Sequence, residues 1–342
     1  MRRRYGKFHS VIVILTIVKL SPVICTAGDY AADFLRIGVG ARPLAMGGAF
    51  TAMTNDPSMF FWNPAGITQL NRMSIQVDHV PVFGGLAQYN AANVTLSFDE
   101  RMGVGLSWIR LGVEDIPRYS ELQGTRFDRL TNTQFRSTGQ AEGYFADKED
   151  AIMVSICRKD YFDINFGSGI SEYVIPIELS FGLTGKYIHH KLDDKTGTGQ
   201  GLDAGAALRI VDLTETHGEP DAWFGLGLSV RDLSRTSIVW NTRSKHKDEV
   251  DLGWQAGVAC SKLFKGLQTR ITLSADREFG FYTDYHVGGE LLFFHVLAIR
   301  GGYYLNKFSA GAGITLLGFR VDYAFINHDL GNTHRISGSF RF

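Results

Sequence analysis

Three cysteines are spread over 342 residues, and no two of them stand as Cys-x-x-Cys. Cysteine-based zinc or redox chemistry therefore lacks a ligand set. Cys157 and Cys260 could pair after export, but two cysteines make no disulfide framework, and a chain of this length does not need one. An excess of charge of one sign is also missing, with 35 Lys+Arg against 35 Asp+Glu. Without a basic stripe there is no electrostatic footprint for nucleic acid, and nucleic-acid binding is excluded. Beyond the N-terminal region no apolar run approaches the roughly 20 residues that a membrane helix needs.

What is present begins with a leader. Arg2, Arg3, Arg4 and Lys7 form a basic head, Val11 to Val18 an apolar run, and Cys25-Thr26-Ala27 a small-residue cleavage site. Residues 1–27 read as a secretory signal peptide. Bulky Ile24 before Cys25 argues against a lipoprotein signal. The leader holds five bases and no acid, so the mature chain is slightly acidic.

Glycine, at 39 residues, stands well above its usual share of about 7%, and aromatics reach 12%. Spread over many short segments, they suit an all-β chain with many turns. From about residue 70 the sequence alternates for about ten residues and then turns. Ala92, Val94, Leu96 and Phe98 oppose Asn93, Thr95 and Ser97, and Met102, Val104, Leu106 and Trp108 oppose Gly103, Gly105 and Ser107. The same period recurs at Ile177–Leu183, Leu202–Leu208, Phe224–Val230, Leu267–Leu273 and Phe319–Phe325. Period two gives each strand one apolar and one polar face. A soluble sandwich alternates too, but its strands cluster near five or six residues, whereas about ten suits a tilted membrane strand. The small and polar second face fits a lumen.

About twelve to fourteen strands are expected between residues 70 and 342, with an even number favoured. Two polar stretches, Glu114 to Asp150 and Asp232 to Asp251, are expected as long extracellular loops that meet a partner. The turn between strands ending near His189 and beginning near Leu202 is expected at "DKTGT", Asp194 to Thr198. Those residues match the phosphorylation loop of P-type ion pumps, but the chain shows none of the rest of that machinery. "GVGARP" has Pro43 where a dinucleotide fingerprint needs its third glycine. His189 and His190 point to opposite sides of a strand, so they cannot share a metal. Ser309 or His286 with Asp284 or Glu290 could be assembled into an enzyme site, but no signature orders them. No catalytic residue, cofactor or metal is expected. Tyr303, Tyr304, Tyr282, Phe281 and Trp240 suit an interfacial aromatic girdle.

Between leader and barrel lies "GVGARPLAMGGAFTAMTNDPSMFFWNPAGI", Gly38 to Ile67. Its glycines permit close approach and tight turns. Asp56-Pro57 and Asn63-Pro64 set turns, and Phe60, Phe61 and Trp62 need burial. Such a segment suits a plug folded inside a lumen.

The same stretch resembles the N-terminal signature of the PorV/PorQ family, relatives of the FadL-type outer-membrane transporters. The matching residues are Gly40-Ala41-Arg42, Met46-Gly47-Gly48-Ala49, Asp56 and Trp62-Asn63-Pro64-Ala65-Gly66, with Pro43 a departure. "FRVDYAF" (Phe319 to Phe325) and "HRISGSFRF" (His334 to Phe342) resemble the family's closing strands. The terminal aromatic strand, with Phe340 and Phe342, resembles the signal that barrel-assembly machinery reads. The resemblance implies a fourteen-stranded antiparallel transmembrane barrel at 71–342, integral to a bacterial outer membrane. It implies a plug or hatch at 28–70, carried by Arg42, Gly47, Gly48, Asp56, Pro57, Phe61, Trp62, Asn63, Pro64, Ala65 and Gly66. The function it implies is a type IX-like secretion component holding exported clients, alongside secretion-machinery proteins. The alternative is a FadL-like transporter with a hydrophobic ligand in the lumen. Inward charges at Asp203, Arg209, Arg231, Arg270 and Asp276 speak mildly against a wholly greasy channel.

Overall fold

A strand with one apolar face must hide that face, and here the barrel hides it in lipid rather than in a core. The computed structural model describes residues 32–342 except 54, 71–72, 99–100, 136–138, 167–172, 213–219, 281–283 and 328–330. The leader and residues 28–31 lie outside the described residues, as do Phe281 and Tyr282 of the expected girdle.

The first half of the wall comprises β1 (Met73–Val82), β2 (Ala87–Phe98), β3 (Met102–Arg118), β4 (Gly143–Phe166), β5 (Tyr173–Leu192), β6 (Lys195–Asp212) and β7 (Ala222–Arg231). A small hairpin follows, β8 (Ser237–Trp240) and β9 (Lys247–Glu249). The second half comprises β10 (Gly253–Phe264), β11 (Thr269–Phe279), β12 (Asp284–Phe293), β13 (Leu297–Tyr304), β14 (Lys307–Leu316), β15 (Phe319–Ile326) and β16 (Thr333–Arg341). Each wall strand pairs antiparallel with its neighbours, β7 with β10 across the hairpin, and β1 with β16 at Val77↔Gly338. The β5–β6 pairing completes the circle, giving a closed barrel of fourteen strands. The β8–β9 hairpin stands on the upper end of β6, at Gly197–Gln200.

Burial inverts the order of a soluble protein. Val94, Leu96, Leu106, Leu273 and Val321 are exposed, while Asn93, Thr95, Ser107, Ser274 and Asp322 are buried. Apolar side chains thus form the outer surface and polar ones the interior. A closed ladder with an apolar exterior is one of the two structures that can span hydrocarbon. The even strand number and the signature of alternating faces place it as an integral outer-membrane barrel. The start of β1 and the C-terminus share one end, and the two longest connections, β3–β4 and β7–β10, leave the other. Short turns face the periplasm and long loops the exterior, so the shared end is periplasmic.

Several expectations are corrected. Strand length is not uniformly near ten: β3 to β6 run 17, 24, 20 and 18 residues. Membrane depth requires only about 9–11, so this part of the wall projects into water. Glu114–Asp150 is therefore no simple loop, because it contains the end of β3, a helix α3 (Arg126–Thr131) and the start of β4. The α3 N-terminus carries a capping box of Thr125 and Asp128. Asp232–Asp251 likewise holds the β8–β9 hairpin. The β5–β6 turn is Asp193-Asp194 alone, and Lys195 to Thr198 already pair with β5. Leu267 lies in a turn before β11 rather than on its face. Cys157 is buried and Cys260 exposed on separate strands, and both are free thiols. Tyr304 stacks on buried His286 at 4.2 Å, and Trp240 bonds Asp248 in the hairpin, so neither joins a lipid-facing girdle.

Two measurements test the inverted surface. The protein is expected to migrate faster unboiled than boiled on a semi-native gel, and recovery as a soluble periplasmic protein would contradict the fold. In urea unfolding from liposomes, Leu106→Arg is expected to cost about 2–4 kcal/mol, as charges on a lipid face do near mid-depth. Ser107→Ala, one residue on and facing inward, is expected to stay within about 0.5 kcal/mol, and equal costs would count against a lipid-facing exterior.

Candidate functional site

Residues 32–70 run through the lumen before β1 begins. They form short turns at Asp33–Arg36, α1 (Ala41–Ala45), α2 (Met59–Trp62) and Pro64–Gln69. Pro43 sits within α1, and Gly38 and Gly40 before it take left-handed φ of 82° and 87°. Asn63 is the N-cap of the last turn: its Oδ1 accepts from the Ala65 amide, with Pro64 at the first position. Short turns of this kind cannot hold themselves together in water. Their order comes from the wall.

The wall accommodates the segment with glycine. A Cβ built on Gly182 would lie 2.4 Å from Pro64, on Gly205 2.1 Å from Asn63, and on Gly227 2.2 Å from the Thr51 carbonyl. On Gly288 it would lie 2.4 Å from the Met46 carbonyl, and on Gly302 2.1 Å from the Gly47 amide. The segment returns the arrangement at Gly47, whose φ is 63° and whose Cβ would meet the Tyr303 backbone at 2.7 Å. Backbone thus lies on backbone, except at Gly205 where the Asn63 side chain enters, and only glycine allows such approach.

Polar wall side chains then fasten that backbone. The Asp276 carboxylate accepts from the Phe50 and Thr51 amides, each at 2.7 Å. Ser309 accepts from the Gly47 amide and donates to the Ala45 carbonyl, while His286 Nδ1 bonds the Gly47 carbonyl. Ser309 and His286, weighed above as nucleophile and base, hold a peptide here. Asn63 donates to the Thr51 carbonyl within the segment and to Ala206 of β6. Asn93 of β2 donates to the Pro57 carbonyl, and Trp62 Nε1 donates to the Val39 carbonyl. Ala65 and Gly66 are buried, and a Cβ on Gly66 would strike Met59.

An ion network joins segment to wall. Arg42 grips Glu290 of β12 with two bonds of 2.7 and 2.8 Å and reaches Asp56 at 3.4 Å. Arg300 bonds both Glu290 and Asp322, and Arg320 bonds Asp322 and lies 3.7 Å from Asp56. At the periplasmic end, Arg341 donates to Asn55 through two bonds. Burial opposes ionisation of Asp56, but Arg320, Arg42 and the Ser58 hydrogen bonds outweigh it and hold the carboxyl below the usual range. Burial likewise opposes the charge on Arg42, and Glu290 and Asp56 more than restore it. The other inward charges are also paired: Lys186 with Asp203 and Asp232, Arg209 with Glu178, and Arg231 with Glu278. Arg270 bonds Ser261 and the Pro220 carbonyl.

Cavities lie on both sides of this packing. On the extracellular side a cavity of about 380 Å³ is lined by Ile37, Leu44, Phe61, Trp62, Val82, Phe83, Tyr304 and Phe308, with Arg231, Glu278 and Arg335 among its polar groups. On the periplasmic side one of about 550 Å³ is lined by Arg42, Asn55, Glu178, Arg209, Arg300, Arg320 and Arg341. No residue lines both. Phe340 and Phe342 lie elsewhere, on the outward face of β16 with their rings 4.6 Å apart. Sequence reasoning missed Arg300, Arg320, Asp322 and the wall glycines. The glycines had a visible signal, since they recur at alternate strand positions on the polar face.

The model of the Uncharacterised protein family (UPF0164) matches residues 26–126, less than a third of the chain. No match was found among curated proteins. Among solved structures, the toluene transporter TbuX of Ralstonia pickettii aligns at 13% identity with a TM-score of 0.46, covering 89% of this chain and 98% of that one. The monoaromatic hydrocarbon channel CymD aligns at 12% identity with a TM-score of 0.44, covering 90% and 98%. A Pseudomonas aeruginosa FadL homologue aligns at 10% identity with a TM-score of 0.41, covering 86% and 96%.

Gly227→Val is expected to unseat the segment, making residues 32–70 cleavable by added protease while heat-modifiable migration persists. Gly112→Val, with open space around its Cβ, is the control, and equal protection in both variants would contradict the seating. The ion network sets a pH dependence. Because the folded pKa of Asp56 is depressed, its contribution is complete above the unfolded value of about 3.9 and fades as pH falls below it. The Asp56 contribution to protease protection is therefore expected to hold from pH 8 to about 5 and to weaken only below about 4. A midpoint of about 6 would instead place the pH dependence outside this ion network.

Proposed function

We propose that this barrel admits small hydrophobic molecules from outside, and that residues 28–70 act as the plug or hatch that closes it. The observation that carries the reading is the extracellular cavity, whose floor is Phe61 and Trp62 of the segment itself. The cavity joins apolar rings and aliphatic side chains to a charged set of Asp33, Arg36, Arg231, Glu278, Lys307 and Arg335, and a concave pocket with apolar walls and placed polar groups is the usual form of a small-molecule site. A ligand seated there touches the element that blocks its path. Arg42, Gly47, Gly48, Asp56, Pro57, Asn63, Pro64, Ala65 and Gly66 would then serve as the latch and hinge of the hatch, with Phe61 and Trp62 its ligand-facing surface. The polar chamber below would receive the molecule after the hatch shifts. Phe340 and Phe342 would serve assembly, as the outward aromatic end that barrel-assembly machinery reads, set against outer-membrane lipid.

A second reading keeps the PorV/PorQ resemblance, in which the barrel is a type IX-like secretion component holding exported clients. The projecting wall of β3 to β6 favours it. At its extracellular end Leu122, Phe127 and Leu130 are exposed on a structured loop, as a client-binding surface would require.

Native mass spectrometry of protein extracted gently from outer membranes separates the two. Transport predicts a retained hydrophobe, lost in Leu44→Asp, together with uptake of a labelled aromatic probe lowered at least about tenfold, equivalent to about 1.4 kcal/mol. Asn63→Ala with Pro64→Ala is expected to admit a bulky dye. A stoichiometric protein partner with no hydrophobe, and unchanged uptake in Leu44→Asp, would favour the secretion reading.

A further inference from the structure

The N-terminal segment has a direction, and β16 records it rung by rung. β16 begins at the extracellular end with Thr333 and finishes at the periplasmic end with Arg341. Near its start, Arg335 donates to the Ile37 and Gly38 carbonyls. Midway, Ser337 accepts from the Ala41 amide, and at its end Arg341 donates to Asn55. Gln69 then bonds Glu178, toward the periplasmic start of β5, before the chain turns into β1. The segment therefore descends through the lumen from the outside to the inside.

Its first described residues lie at the extracellular end. Ala32, Asp33, Leu35 and Arg36 line a cavity with Val250 to Gly253, which lead into β10, and with Glu278 to Gly280, where β11 ends. Those strand ends are extracellular, because β10 and β11 are joined by the periplasmic turn at Lys265–Leu267. Phe34 meets His190, near the extracellular end of β5, edge-on at 5.5 Å. The leader read from the sequence ends at Ala27, so residues 28–31 alone precede Ala32 in the processed chain. Four residues reach at most about 14 Å. The wall is deeper: the 11 residues of β11 run about 37 Å, and a tilt of about 40° leaves about 28 Å of height. Whatever path residues 28–31 take, a seated segment keeps its amino terminus out of reach of the periplasm.

We infer that the segment seats only after the leader is cut off, and that seating delivers the new amino terminus to the cell surface. Once the plug is in place, the bond between Ala27 and Gly28 cannot be reached from the periplasm, so the cut comes first. An uncut chain would have to carry Arg2, Arg3, Arg4 and Lys7 across the outer membrane. It would also have to draw Val11 to Val18 out of the membrane that holds it, setting seven large apolar side chains in water. Processing thereby licenses closure of the barrel. The inference rests on reading residues 1–27 as a leader, and on neither transport nor secretion.

Two experiments test it. In the first, Asp29→Cys is treated with a membrane-impermeant maleimide on intact cells, and the modified peptide is identified by mass spectrometry. Labelling is expected to be as complete on intact cells as on lysed ones. Gly266→Cys, in the periplasmic turn with open space around its Cβ, is the control and is expected to react only after lysis. Labelling of position 29 only after lysis, or not at all, would overturn the inference. In the second, chains 1–342 and 28–342 are folded into liposomes and treated with protease. Both are expected to show heat-modifiable migration, with residues 32–70 cut at least about tenfold faster in the chain that keeps its leader. Equal protection would mean that the leader does not hold the segment out, and would also overturn it. A native protein whose intact mass still includes residues 1–27 would instead remove the leader reading beneath it.

Discussion

Hydrocarbon offers a peptide group nothing to bond with, and the architecture follows from that. Every wall strand within the membrane must find a partner on both sides, so the sheet has to close, with β1 meeting β16 and β5 meeting β6. Closure separates two environments that a single alternating strand serves at once. Leu106 faces lipid and Ser107 faces the lumen because consecutive residues point to opposite faces. The same requirement marks where the membrane stops. Only beyond it can β3 run on past Gly112 without its β2 partner.

A polar lumen wider than its own side chains then needs filling, and the N-terminal segment fills it by two unlike means. Contact at Gly227, Gly288 and Gly302 is steric, backbone against backbone. Contact at Arg42, Glu290, Asp56, Arg300, Arg320 and Asp322 is ionic. Buried charge is expensive to desolvate, and such a network holds only when each member keeps its partners. The pairing is therefore better suited to defining one seated position than to adding stability. Removing Arg42 would take from Glu290 its bidentate partner and leave it with Arg300 and the more distant Arg320. The apolar cavity lies on one side of this ionic layer and the polar chamber on the other, so the layer also divides two solvents.

Much of the fold was legible because alternation is local. The faces of Ala92–Phe98 and Met102–Trp108 follow from side-chain period alone. Strand length was not legible, since the residues that carry β3 to β6 past the membrane, such as Lys148 and Asp150, look like loop when read without a partner strand. The "DKTGT" turn misled for a related reason: Thr196 and Thr198 are polar because they project into water, not because they bend. In the lumen, the segment's signature residues were recognisable from their own sequence. The wall residues they meet were not, because Glu290 and Arg42 are related only by closure of the barrel. Gly205 and Gly227 were visible as glycine, but what they make room for was not.

The Arg42–Glu290 contact spans 248 residues and the Ala41–Ser337 contact 296. A chain pays loop entropy before such distant contacts reward it. Ala41 to Gly48 thus have no seat until β12 to β16 have joined the wall, whereas Asn63 to Gly66 meet β5 and β6 much earlier. The two parts of the segment therefore find their places at different stages of assembly, Asn63 to Gly66 on the first half of the wall and Ala41 to Gly48 on the second.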